Sequence, residues 1–508
     1  MNMSRQNNEY FSLKSSLMRA AVFTAAALTA LNASLAAELQ FTPIQTNLFS
    51  APYGQSNAWG DFDNDNDLDL LVVFLNEPVR LYENRGEAGF VDVAAELNLP
   101  AGGNPRSIAW GDYDNDGDQD IYIGYADGVR ANLLLENQLD VGSRSFIEVG
   151  AAKGVDLVGL TRQLNFIDYD NDGDLDLHIA LRNASNRLYE NNGEVFVDVA
   201  RQVGFFEPRR TVGTCWFDMD MDGDLDAFTT NQNGDRDGLY QNEQGQFSDV
   251  AIELNMDQSR RPLIDGGVGC AVTDFDSDGD LDLYVAEYGD DSLFRNNGDG
   301  SFTDVAAQMG IAVHDHIVTG VWGDVNNDGR PDLYTVGYVN GQPGMQDYLF
   351  INLGTHFENQ IPDNVMANDT DHGVQFADFD DDGDLDLALA ANDPSGSHYL
   401  FRNDLSENTG QSIKVQVLDE NGHYVMAGSE VRVFNSANAQ LLGSRLVDTG
   451  SGYNSQNAKP VHIATLGAER VDIEVTVMSN TGRQNHVFRN ISVSELANQA
   501  FIAMLARN

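Results

Sequence analysis

The chain has 508 residues, 79 of them acidic and 29 basic, for a formal net charge of -50 at pH 7. A body this negative repels phosphate backbones and anionic lipid surfaces alike, which argues against nucleic acid as a partner. The hydrophobic share is an ordinary 42%, and the aspartates stand at fixed offsets between apolar runs, so the pattern is that of a folded protein and not of a solvated acidic tail.

The first predicted element is an export signal. Arg19 precedes an apolar, alanine-rich run from Ala20 to Leu31, and Ser34-Leu35-Ala36 supplies a small-x-small cleavage pattern, so residues 1–36 read as a signal peptide cut after Ala36. Met18 would start a conventional peptide of this kind. The run is too short to span a bilayer and no second apolar candidate follows, so the expected location is periplasm, cell surface or medium, with no transmembrane segment.

A nine-residue aspartate loop, D-x-D-x-D-G-D-x-D or a near copy, then recurs seven times. The loops begin at Asp61, Asp112, Asp168, Asp218, Asp274, Asp324 and Asp378, spaced 51, 56, 50, 56, 50 and 54 residues apart. A period near 50 suits four short strands and their turns, and seven such units predict an all-β fold, a seven-bladed β-propeller.

Within each unit the predicted order is an apolar strand, the loop, and three more strands. The third unit illustrates it, with Leu164 to Ile167, the loop, Leu175 to Leu181, Arg187-Leu188-Tyr189-Glu190-Asn191 and Phe196 to Ala200. The Phe-led fourth strand begins at Phe90, Phe146, Phe196, Phe247, Phe302 and Phe357, and once more at Phe41, ahead of the first loop. Nothing like it follows the seventh loop. The expected closure therefore has residues near Phe41 completing the last blade, which removes both open sheet edges.

The loops carry the chemistry of a hard cation. Calcium takes six to eight oxygens, and Asp at positions 1, 3 and 5 supplies several from one turn, with Gly at position 6 allowing the sharp bend. That Gly is Gly117, Gly173, Gly223, Gly279, Gly329 and Gly383, replaced by Asn66 in the first loop. An EF-hand is excluded, because position 12 is never Glu; the closing acid is position 9, already on the next strand.

These loops resemble those of FG-GAP and VCBS repeat proteins, the integrin α-subunit propeller among them. The resemblance implies up to seven Ca2+ ions held by side chains at positions 1, 3, 5 and 9, with the main-chain carbonyl of position 7 completing each set. In this sequence the implied ligands are Asp61, Asp63, Asp65 and Asp69; Asp112, Asp114, Asp116 and Asp120; Asp168, Asp170, Asp172 and Asp176; Asp218, Asp220, Asp222 and Asp226; Asp274, Asp276, Asp278 and Asp282; Asp324, Asn326, Asp328 and Asp332; and Asp378, Asp380, Asp382 and Asp386. Arg330 at position 7 of the sixth loop is tolerable only if that position contributes backbone.

From about Gln411 the loops stop and alternating strands take over, at Ile413 to Val417, Val431 to Phe434, Val461 to Ile463, Val471 to Val477 and Val487 to Ile491. This stretch resembles the ASPIC/UnbV family through Gly443-Ser444-Arg445, Asp448 to Tyr453, Ser455-Gln456-Asn457 and Pro460-Val461-His462. The expected division is a signal peptide over 1–36, a propeller over 37–405 and a small β-sandwich-like domain over 406–508. Ser451 to Asn457 and His462 are that domain's candidates for a ligand contact; a structural turn is the other reading.

Cys215 stands three residues before its loop and Cys270 four, which on two strands points them to different faces. Buried free thiols are therefore expected, with a bridge as the alternative. Arg106, Arg162 and His372 each lie six positions before a loop, with Arg209, Arg210, Arg260, Arg261, His314 and His316 slightly further upstream. These offsets predict a basic and imidazole ring at the upstream ends of the innermost strands, opposite the metal loops. Arg106, Arg162, Arg210, His314, His316 and His372 are its candidate ligand contacts.

Two functions remain open. One is a secreted adhesion or ligand-binding module for an extracellular glycan or protein with anionic groups. The other is a polysaccharide lyase or hydrolase using His314-Asp315-His316 and His372 to bind a metal or move protons. No HExxH, P-loop or nucleophile motif supports the second.

Overall fold

The structure, a computed structural model, describes residues 39–259, 261–338, 346–366, 371–392, 398–405, 412–457, 460–496 and 499–506. The signal sequence, Arg260 and residues 406–411, where the domain boundary was drawn, lie outside these.

Each aspartate loop sits between the first two strands of a four-stranded antiparallel sheet, and there are seven such sheets among the described residues. In the third, Thr161–Ile167, Asp176–Leu181, Arg187–Asn191 and Phe196–Asp198 pair in sequence order, with Ile167 opposite Asp176 and Tyr189 opposite Asp198. The first strands are buried almost throughout, as the centre of the molecule requires. Their last residue is glycine in three sheets because the neighbour presses close: a Cβ on Gly60, Gly111 or Gly323 would come within 2.8, 2.6 or 2.8 Å of Trp110, Phe166 or Phe376 in the next sheet.

The innermost strands Gly54–Gly60, Pro105–Gly111, Thr161–Ile167, Thr211–Phe217, Gly267–Thr273, Ile317–Gly323 and Asp371–Ala377 neighbour one another in that order, and the last lies against the first. The fold is a β-propeller. Phe41–Pro43 pairs antiparallel with Leu400–Asn403 as the outer strand of the seventh sheet, with Phe41 opposite Asn403.

An asparagine ring fastens sheet to sheet. Asn84, Asn137, Asn191, Asn296, Asn352 and Asn403 each end a third strand, and Asn242 is the next-to-last residue of another. Each donates its backbone N–H to the position 9 aspartate of its own loop at 2.7–2.9 Å. Each also donates its side-chain amide, at 2.7–2.9 Å, to the position 2 carbonyl of the preceding loop.

Beyond residue 411, Val461–Ala464, Ser412–Asp419 and Phe501–Leu505 form one sheet, and Leu441–Leu446, Glu430–Asn435, Arg470–Val477 and Gln484–Ser492 a second. Val415, Val417, Val431, Val433, Ile473 and Val475 belong to the apolar core that the two sheets share. Leu441–Leu446 and Phe501–Leu505 were not anticipated from the sequence. The first lacks period-two alternation, and the second pairs parallel to Ser412–Asp419, a partner far away in the chain.

The cysteines correct one expectation. Cys215 and Cys270 are disulfide-bonded, with Cα atoms 6.0 Å apart. They lie on the innermost strands of adjacent sheets, and adjacent blades pack with opposite faces of equivalent strands turned toward each other. Opposite parity is what brings the two sulfurs together.

Candidate functional site

In five loops the position 1 carboxylate closes the turn, accepting the backbone N–H groups of positions 5 and 6 at 2.8–3.2 Å; Asp61, Asp112, Asp168, Asp218 and Asp324 do this. The first loop manages without glycine, because Asn66 takes φ 74°, the left-handed conformation that Gly117 and its equivalents occupy. Position 9 opens the second strand in every sheet. Its second oxygen accepts the N–H of position 2 at 2.8–3.3 Å in all seven loops.

Positions 1, 3 and 9 converge. Asp61, Asp63 and Asp69 each offer a carboxylate oxygen within 4.8 Å of the others, as do Asp112, Asp114 and Asp120, Asp168, Asp170 and Asp176, and Asp218, Asp220 and Asp226. One oxygen each of Asp63, Asp114 and Asp170 is buried with no hydrogen-bond partner. Burial, reinforced by neighbouring carboxylates, pushes Asp69 up to about 9 and Asp61 up to about 6. A donor set of crowded, orphaned, hard oxygens fits a divalent cation such as calcium.

Position 7 points elsewhere. Asp118, Asp174, Asp224 and Asp384 each accept the side-chain amide of the preceding loop's position 4 asparagine, at 2.6–2.9 Å. Their carboxylates link loop to loop around the ring.

The C-terminal sheets cover this loop face and bring cations to it. Arg483 lies 3.5 Å from Asp218, Arg445 3.7 Å from Asp324 and Lys414 4.0 Å from Asp378. Arg432 donates to the carbonyl of Gly279, and His462 Nε2 lies 2.9 Å from that of Gly383. In the sixth loop Arg330 also pairs with Asp328.

From the same sheets, residues 448–457 enter the central channel. Thr449 donates to the Trp216 carbonyl, Gly452 N–H to that of Cys270, and Trp110 N–H to Gln456 Oε1 at 2.6 Å. Gln163 accepts from Asn454 N–H at 2.6 Å, Phe376 N–H donates to Asn457 at 3.1 Å, and Ser455 bonds Asn57 at 3.3 Å. A Cβ on Gly452 would meet Thr319 at 2.7 Å. One segment thus touches the innermost strand of every sheet. Its polar composition, which reads in sequence as either turn or ligand loop, serves the polar groups of the channel wall.

Tyr453 at its tip reaches the upstream mouth. Arg106 donates to the Tyr453 hydroxyl at 2.8 and 3.2 Å and to Gln55, and its Nη2 is 3.3 Å from His372 Nε2. His372 is buried against the Tyr338 ring, 3.9 Å between centroids. Burial raises the Tyr453 hydroxyl, but Arg106 and Arg162 outweigh it and bring it down to about 8. Burial holds Arg162 down to about 10.

The other candidates at this end go their own ways. Arg209 pairs with Glu207 and Asp249, Arg210 with Asp235 at 2.8 Å, and Arg261 with Asp237 and Glu287 at 2.7 Å each. His314 is exposed beside Asp290 at 2.9 Å, Asp315 accepts from Tyr348, and His316 packs on Tyr288. The histidines of the enzymatic reading are thus divided among separate environments. Sequence reasoning missed Arg182, Gln232, Tyr288, Tyr338 and Asn392, each the first residue after a second strand. Counting six residues on from the position 9 aspartate finds all five.

The family model for the FG-GAP-like repeat matches residues 61–123, 168–229, 218–285 and 274–335, each match opening on the first aspartate of a loop. The chain carries FG-GAP-like repeats. Among curated proteins it is 33% identical to cartilage acidic protein 1 of Xenopus tropicalis over 214 residues, 40% of this chain and 32% of the relative. It is 31% identical to that of Homo sapiens over 230 residues, 42% of this chain and 33% of the relative. The chain therefore spans about a third of the length of these relatives. Similar solved structures include an Agrocybe aegerita lectin that recognises non-reducing terminal N-acetylglucosamine, at TM-score 0.37, 19% identity, 60% of this chain and 80% of that one. Another is BBS1N in complex with ARL6DN, at TM-score 0.45, 10% identity, 72% and 98%. No helix among the described residues is long and apolar enough to cross a membrane.

Proposed function

We propose that this chain is an exported, calcium-binding propeller that acts as an adhesion or ligand-binding module for an extracellular glycan or protein bearing anionic groups. The reading rests above all on Asp63, Asp114 and Asp170, each of which has a buried oxygen without a partner and offers a carboxylate oxygen within 4.8 Å of those of two further aspartates. Two unscreened carboxylates about 4 Å apart repel by roughly 4 kcal/mol at an effective dielectric of about 20. A bound cation offsets that. Side chains at positions 1, 3, 5 and 9 hold it, and the lateral use of Asp118, Asp174, Asp224 and Asp384 supports a backbone contribution from position 7. Up to seven calcium ions then pin the first two strands of each sheet to one another.

Export is supported by the signal-like amino terminus, the Cys215–Cys270 bridge and the similarity to cartilage acidic protein 1. Residues 1–36 are the signal peptide in this reading, 37–405 the propeller, and 406–508 an ASPIC/UnbV-like domain seated on the loop face.

Metal bound only by the folded state stabilises it by linkage. Melting the purified protein with calcium and with excess chelator, after metal analysis, tests the reading: the melting temperature should fall on chelation. An unchanged melting curve at nil metal content overturns it.

A further inference from the structure

The upstream mouth of the channel is built differently around its rim. The second residue of each innermost strand faces it at an equivalent position. His372, Gln55, Arg106 and Arg162 occupy that place in the seventh, first, second and third sheets, and Val212, Val268 and Val318 in the fourth, fifth and sixth. One arc is basic and the other apolar. The valines share an apolar cluster with Tyr453, against which Tyr288 and Tyr338 pack half-buried. Arg182 follows the second strand of the third sheet, at the same end, and its charge and that of Arg106 both act on Arg162.

The charge balance here is unusual for a chain carrying -50. Arginines that are withdrawn from water are normally paired with acids, and Arg209 and Arg261 follow that rule. Among the described residues no carboxylate pairs with Arg106, Arg162 or Arg182. Arg106 is held by neutral acceptors. Arg162 donates one Nη1 hydrogen to Thr161 and has a buried Nε without a partner, and Arg182 reaches only Asn233, at 3.4 Å. Three guanidinium groups thus lack a counter-charge, beside tyrosine rings and above a tyrosine hydroxyl.

We propose that this mouth binds an acidic sugar residue, its carboxylate taken by Arg162 and Arg182 and its ring lying against Tyr288 and Tyr338, with Tyr453 as the floor. Guanidinium forks match carboxylates in shape and charge, and aromatic faces offer the apolar surface that a sugar ring covers. The tyrosines favour a sugar over an acidic protein side chain, which has no ring to place there. This inference rests on reading the chain as a ligand-binding propeller, and it adds the ligand's class and its place.

The test uses the full, calcium-saturated protein in calorimetric titrations with D-glucuronate, glucose and N-acetylglutamate. Glucuronate should bind, and glucose should not. Arg162→Gln and Arg182→Gln should each weaken glucuronate roughly tenfold, the loss of one charge-assisted contact, with melting temperature and calcium content unchanged. Bound glucuronate should also raise the pH at which Tyr453 ionises, read by tyrosinate absorbance and absent in Tyr453→Phe. Failure of glucuronate to bind, or undiminished binding by the double variant, overturns the proposal; equal binding of N-acetylglutamate overturns the choice of a sugar. A protein that melts lower in chelator yet ignores glucuronate refutes this site and leaves the calcium reading standing.

Discussion

The side-chain amide of Asn84 donates to the carbonyl of Phe379 at 2.8 Å, joining the first sheet to the seventh with the same bond that joins every other neighbouring pair. The backbone N–H of Asn84 meanwhile holds Asp69 at 2.9 Å. Each position 9 aspartate is therefore both a member of the acidic cluster and a fixed anchor for two backbone donors.

This double role separates position 9 from position 3. Asp176→Asn leaves its new amide facing a buried N–H of Tyr169 or Asn191, which should cost about 1–3 kcal/mol whether or not calcium is present. Asp170→Asn removes a charge from the cluster without orphaning a backbone group, so its cost should appear only in the calcium-loaded protein. Denaturant melts of both variants, with calcium and with chelator, check the difference.

The loops should also differ among themselves. The sixth carries Asn326 at position 3, Arg330 on Asp328 and Arg445 near Asp324, so its field for a cation is weaker than that of the third. Calcium titration should resolve sites of unequal affinity, and Asp170→Asn should cost more calcium-dependent stability than Asp324→Asn. The reverse order would refute the ranking.

The Cys215–Cys270 bridge spans 55 residues. Loop-closure entropy gives about 4 kcal/mol for a bridge of that reach as a ceiling. Reduction, or the Cys215→Ala, Cys270→Ala double variant, should lower the denaturation midpoint while leaving calcium content unchanged.

Acid should weaken the fold through His398, which is buried with Nε2 2.7 Å from the Tyr82 hydroxyl. Burial holds this imidazole down to about 3, against 6.5 for an ordinary histidine. Above 6.5 both folded and unfolded forms are neutral and the stability is fully present. Below it only the unfolded chain takes the proton, so stability falls by about 1.4 kcal/mol per pH unit. In calcium-saturated melts from about pH 7 to about pH 5, His398→Gln should flatten the pH dependence by that amount per unit.

Much of this architecture is written locally in the chain. The aspartate loops were legible because each loop's acidic cluster is built from nine consecutive residues. The strand order was legible because Phe41, Phe90, Phe146 and their successors keep phase with the loops. Asn84 and its equivalents were visible as a repeated residue, but their role was not, since each serves the loop of the preceding repeat. The bridge was not legible because opposite parity on two strands reads as opposite faces, whereas Cys215 and Cys270 meet across two adjacent sheets whose facing surfaces differ. Residues 448–457 were least legible: their partners run from Asn57 to Phe376, and no local pattern of Gly, Ser and Asn announces a contact with seven separate strands.

That hub segment also sets an order of events. Ser56, Asn57, Ser107, Gln163 and Asn165 line the axis early in the chain, while the groups that satisfy them are synthesised only after all seven sheets. Sheets that form first therefore enclose a wet, unfilled axis until Asp448 to Asn457 insert, and the step that locks the sheets together is one long-range insertion. Such non-local closure is slow. The propeller becomes a single cooperative body only when this segment is seated.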